Sequence, residues 1–116
     1  MTVLIIHRQQ SFLQRIKQNF LQGGWRVHTT DNGLDGLLTV RHHQFDLILC
    51  GFDLPVVSGT EVVRSLRLLS QNRVTPVFFL RDEDTAPWQM DMAEKLSVRL
   101  IKESAIKRKA KLAWLQ

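Results

Sequence analysis

Five short apolar runs alternate with five segments whose apolar residues recur every three or four positions, and this alternation constrains the fold more than any other feature. Thr2–Ile6 (TVLII) is β-branched. Gln10–Gln22 sets Leu13, Ile16 and Phe20 on one helical face, and Gly23-Gly24 stops it. Trp25–Thr29 alternates with period two. Asn32–His43 reads as a helix carrying Leu34, Leu37 and Leu38, with His42-His43 in its last turn. Asp46–Cys50 is a third strand, and Gly59–Gln71 puts Val62, Val63, Leu66 and Leu69 on one stripe. Thr75–Leu80 is a fourth strand. Pro87–Ser97 is a short helix capped by Asp84 or Thr85, with Trp88, Met92 and Leu96 in register. Val98–Ile101 is a fifth strand and Ser104–Gln116 a last helix.

Strands separated by helices predict right-handed crossovers and a parallel sheet covered on both faces. The first, third and fourth strands are almost wholly apolar, as covered central strands must be. The second carries Arg26 and His28 and the fifth Arg99, and charge suits an edge. The order 2-1-3-4-5 meets both conditions: an α/β, flavodoxin-like, doubly wound five-stranded sheet of (βα)5 form. Residues 1–116 are read as a single domain, with no internal repeat or linker.

Of the 116 residues 44% are apolar, which gives a real core, and no apolar run approaches membrane-spanning length. The start, MTVLIIHRQQ, lacks the pattern of a secretory leader. With one cysteine, Cys50, no internal disulfide forms, and a cytoplasmic location is expected. The net charge is +5, and residues 101–116 hold most of it: Lys102, Lys107, Arg108, Lys109 and Lys111 against Glu103. That cluster reads as a solvated helix face or as a nucleic-acid footprint, the latter without an accompanying aromatic or glycine-rich motif.

In a sheet of this order the binding crevice lies beyond the carboxyl ends of the central strands. Those ends are His7-Arg8, Gly51 and Arg81, with Lys102 beside them. The stretch DLILCGFDLP (Asp46–Pro55) brings an apolar strand to a tip that carries glycine. No nucleophile–base pair and no metal cluster stands on these tips, so no enzyme and no cofactor is expected. Cys50 reads as a small core hydrophobe and His7 as a structural histidine.

The frame of motifs resembles the receiver domain of bacterial response regulators, over nearly the whole chain. DNGLDGLL (Asp31–Leu38) looks like the start of that family's second helix. FDLILCGFDLPVVSGTEVVRSLR (Phe45–Arg67) looks like its third strand, proline loop and third helix. TPVFFL (Thr75–Leu80) and VRLIK (Val98–Lys102) look like its last two strands. The resemblance implies phosphoryl transfer to an aspartate at the tip of the third strand. An acidic pair holds Mg²⁺ beside it, and a Ser/Thr and a Lys contact the phosphoryl group.

Carried over residue by residue, the acidic pair falls on His7 and Arg8, the phosphoacceptor on Gly51 and the Ser/Thr on Arg81; only Lys102 is kept. Glu103 stands where a proline usually follows that lysine, and Arg99 where the family often has an aromatic switch residue. Glycine has no oxygen to phosphorylate, and arginine has no acceptor for a hard cation. The expectation is therefore a pseudo-receiver: a regulatory domain that works by protein–protein interaction without phosphorylation. Asp53 is expected to pair with Arg8, Arg81 or Lys102, and Lys102 with Asp53 or Asp82.

By the same resemblance the partner or homodimer face is helix four, strand five and helix five, with Trp88, Arg99, Arg108, Lys111 and Trp114. The resemblance implies either that the domain acts alone or that it is the regulatory part of a longer regulator with a covalently attached output domain. Two other readings stand beside this one: an anion or nucleotide sensor built on Arg8, Arg81 and Lys102, and nucleic-acid binding through the basic last helix.

Overall fold

The computed structural model describes residues 1–81 and 86–109. Its elements run β1 (Thr2–Ile6), α1 (Gln10–Gln22), β2 (Arg26–Thr30), α2 (Gly33–His42), β3 (Leu47–Cys50), α3 (Gly59–Leu69), β4 (Val77–Arg81), α4 (Pro87–Lys95), β5 (Arg99–Lys102) and α5 (Glu103–Lys109). The strands form one sheet in the order β2-β1-β3-β4-β5, with all four pairings parallel. The order read from strand polarity is the order observed.

Strand alternation divides the core into two layers. Leu4 and Ile6 of β1, Ile48 and Cys50 of β3 and Phe79 of β4 face Val40, Val62, Val63, Leu66 and Ala93 of α2, α3 and α4. Val3, Ile5, Leu47, Leu49, Phe78 and Leu80 point the other way, onto Leu13, Ile16 and Phe20 of α1 and Ile106 of α5. Each large side chain so buried contributes about 1.5–3 kcal/mol relative to exposure. Residues 3–6 and 47–50 are fully buried, as central parallel strands require.

Local chemistry sets the boundaries. Gly24, at φ +85°, reverses the chain after α1. The Trp25 N–H then bonds Phe20 O, so Trp25 closes the helix and β2 begins one residue later than the alternation suggests. Asn32 caps α2 by accepting the Asp35 N–H, and Ser58 caps α3 by accepting the Glu61 N–H. The cap of α4 is Ala86, whose N–H donates to Gln89 Oε1 at 2.9 Å; Asp84 and Thr85 lie outside the described residues. Pro87 supplies the first helical position.

Two apolar stripes differ from the sequence reading. On α2 the buried positions are Gly33, Gly36 and Val40, while Leu34 and Leu38 are exposed. The two glycines bring the helix too close for leucines to serve as its contact row. On α4 the buried residues are Gln89 and Ala93, and Trp88 is 57% exposed.

Candidate functional site

Parallel pairing delivers four strand ends to one edge of the sheet. The Gly51 N–H bonds Ile6 O at 2.8 Å, so the chain leaves β3 beside the end of β1. Arg81 and Lys102 are register partners at the ends of β4 and β5. The result is an open cavity of about 410 Å³. Its lining contains every tip residue singled out in the sequence: His7, Arg8, Gly51, Asp53, Arg81 and Lys102. It also contains residues that sequence reasoning missed, namely Phe12 and Arg15 of α1 and the leucines Leu54 and Leu80. Phe12 and Arg15 fall three apart on the helix that follows β1, the spacing that aims both at one neighbour.

The centre of the site is Gly51. A methyl group there would come within 3.3 Å of His7 Cδ2, 3.4 Å of Leu54 Cδ2 and 3.5 Å of Ile6 O. A side chain at this tip would start in contact with the leucine and the imidazole edge, and the imidazole would have to give by a few tenths of an ångström. His7 is fixed in that place. Its Nδ1 accepts the Gln9 N–H at 3.1 Å, and its ring stacks on Phe12 with centroids 4.1 Å apart and planes 21° from parallel. The loop after Gly51 is held by its own backbone. The Gly59 N–H bonds Phe52 O, and a side chain at Gly59 would strike Gly51 O at 1.9 Å. Glycine is therefore obligatory where α3 starts.

Charge in the cavity is mostly positive. Arg15 Nε donates to Glu103 Oε1 at 2.7 Å, joining α1 to α5, and its guanidinium sits 5.9 Å from the Phe12 centroid. That pair sets Glu103 against Arg15 and leaves Arg8, Arg81 and Lys102 facing Asp53. The expected ion pair between Asp53 and one of these cations does not form: among the described residues the ion pairs are Arg15–Glu103 and Arg64–Glu61. Asp53 and Lys102 are instead exposed, which favours hydration of each charge over an ordered pair. Asp82, the other partner considered for Lys102, lies outside the described residues. Arg81 Nε is buried and has no hydrogen-bond partner.

The donor set does not fit Mg²⁺. That ion needs near-octahedral oxygen ligation with carboxylates, and His7 and Arg8 stand at the end of β1. Among the described residues no group of three or more His, Cys, Asp or Glu side chains could hold a metal ion. Cys50 is fully buried behind the tip; burial pushes its thiol up to about 12, so it packs as a hydrophobe and not as a nucleophile.

Of the surface residues singled out, Trp88 on α4 and Arg99 on β5 are both exposed, with Met90 exposed near Trp88. Arg108 lies in α5; Lys111 and Trp114 lie outside the described residues. No helix among the described residues is long and apolar enough to cross a membrane.

A five-stranded parallel sheet wound in this order, with its cavity at the strand tips, is the architecture of a receiver. The response regulator receiver domain model matches residues 3–102, and the chain belongs to that family. Over 80 residues it is 36% identical to the cell cycle transcriptional regulator CtrA of Caulobacter vibrioides, and 35% identical to the cell cycle response regulator CtrA of Brucella ovis. Each match covers 69% of this chain and 34% of the relative, so the shared segment spans about a third of the regulators it resembles. Among solved structures, the chemotaxis protein CheY4 of Vibrio cholerae superposes with a TM-score of 0.78 at 25% identity, covering 88% of this chain and 85% of that one. The receiver domain of a Pseudomonas aeruginosa sensor histidine kinase superposes with a TM-score of 0.82 at 17% identity, covering 94% and 93%. That protein was crystallised with magnesium coordinated in its active site cleft.

Proposed function

We propose that this receiver domain regulates by protein–protein contact without being phosphorylated. The observation that carries the reading is the bare glycine tip of β3. Gly51 offers no side-chain oxygen, and His7 and Leu54 border the position where a carboxylate would stand. The replacements around it agree with one another. No carboxylate pair stands at the end of β1 to hold Mg²⁺, and arginine replaces a hydroxyl at the end of β4. Asp53, two residues beyond the tip, is exposed in the loop, and the backbone bonds at Gly51 and Gly59 resist moving it into the vacated position.

The output surface we assign is α4–β5–α5, used toward a protein partner or a second copy. The exposed Trp88 and Arg99 support it, because tryptophan and arginine are the side chains that most often dominate binding energy. The likeness to CtrA supports transcriptional control as the process, inside the cytoplasm. An attached output domain is part of the same proposal, since the shared segment is a third of those regulators. Complementation of a deletion strain tests it. An Asp53→Ala chain restores wild-type output, whereas a Trp88→Ala, Arg99→Glu chain of unchanged fold does not. Failure of Asp53→Ala to complement would contradict the reading.

A further inference from the structure

We propose that the strand-tip cavity binds a small organic phosphate, with its anionic head on Arg8, Arg81 and Lys102 and its planar body against the Phe12 and His7 rings. Three observations carry this. First, Arg81 and Lys102 are register partners on adjacent strands, and like charges so placed repel unless something between them is negative. Arg8 lines the same space, and no described acid within ion-pair distance neutralises any of the three. Second, Arg81 Nε is a buried donor without a partner, a group that a bound oxyanion satisfies. Third, at about 410 Å³ the cavity has the size of a small-molecule site, far more room than one inorganic anion needs.

Apolar and aromatic lining distinguishes an organic ligand from a bare oxyanion. His7 and Phe12 form a stacked wall, and Leu54 and Leu80 also line the cavity. Among the described residues the competing acids are Asp53 and Glu103, and Glu103 is already engaged by Arg15 through two nitrogens at 2.7 and 3.4 Å. Among the described residues that line the cavity, three cations against one unpaired carboxylate favour a dianion. A nucleoside monophosphate combines that charge with a planar base.

Titration calorimetry of the full chain at low ionic strength without Mg²⁺ tests this with three probes: adenosine monophosphate, inorganic phosphate and adenosine. The expected order is nucleotide tighter than phosphate, with adenosine giving no heat at the same millimolar concentration. Arg81→Gln and Lys102→Gln, each with a melting temperature no lower than the wild type's in the absence of ligand, weaken the nucleotide by about tenfold, the loss of one charge-assisted bond. Any of three results would overturn the proposal: no heat with the nucleotide, equal heat with adenosine, or nucleotide affinity unchanged in both variants. Asp82, Glu83 and Asp84 follow Arg81 in sequence. Nucleotide heat that emerges only after all three become amides would assign the cations to the chain's own acids and equally overturn it.

Discussion

Gly51 and His7 meet edge to edge: a single added methyl group at Gly51 would lie 3.3 Å from His7 Cδ2. Contacts that tight make the neighbour yield. Gly51→Asp should therefore cost about 1–3 kcal/mol of stability, read as a lower urea midpoint with an unchanged slope. The same variant should remain unphosphorylated by acetyl phosphate, because no carboxylate pair is added for Mg²⁺. A Gly51→Asp chain that acquires a phosphoryl group would show that the rest of the crevice still supports the family's chemistry.

Val56, in the loop after Leu54-Pro55, has φ +72° and is 77% exposed. A β-branched residue in the left-handed region is strained, and here little burial offsets the strain. Val56→Gly relieves it, less the entropy that glycine adds to the unfolded chain. The net should be a gain of about 1 kcal/mol, seen as a higher urea midpoint. An unchanged or lower midpoint would mean that the Val56 side chain holds the loop.

Asn72 is fully buried between α3 and β4. Its Oδ1 accepts the Phe45 N–H at 2.8 Å, and its Nδ2 donates to Val40 O and His43 O, each at 2.8 Å. One side chain thus satisfies backbone groups at the end of α2 and ahead of β3. Asn72→Leu leaves them unpaired and should cost about 3 kcal/mol or more in urea denaturation. A loss below about 1 kcal/mol would show that water replaces the amide.

Burial raises the Cys50 thiol from its ordinary 9.0 to about 12. Between those values the folded chain keeps a proton that the unfolded chain has released, so stability falls as pH rises through that window and is unaffected below it. The stability difference between the wild type and Cys50→Ala should accordingly be flat below pH 9.0 and shift against the wild type above it. The native thiol should also fail to react with a thiol reagent until urea unfolds the chain. Reaction at the folded-state plateau would contradict its burial.

Strand order was legible because burial on both faces leaves a compositional mark. TVLII, LILC and VFFL carry no charge, while RVHTT and RLIK do. The strand tips were legible for the same reason, since topology alone brings them together. Three features were not. Leu54 lies against the Gly51 tip, but a leucine before a proline reads as any apolar loop residue. Asn72 reads as a turn former, because its partners lie 27 to 32 residues away in sequence. The ion pair expected at Asp53 failed because spacing reveals which charges share an edge but not whether hydration outweighs pairing. Arg15, which does pair at that edge, was not legible because its partner Glu103 lies 88 residues away in sequence.

The central claim is tested most directly by the intact mass of the chain after incubation with acetyl phosphate and Mg²⁺. The mass should be unchanged, while a receiver bearing an aspartate at the third strand tip gains one phosphoryl group under the same conditions. A gain of one phosphoryl group that maps to Asp53 and is abolished by Asp53→Ala would contradict it.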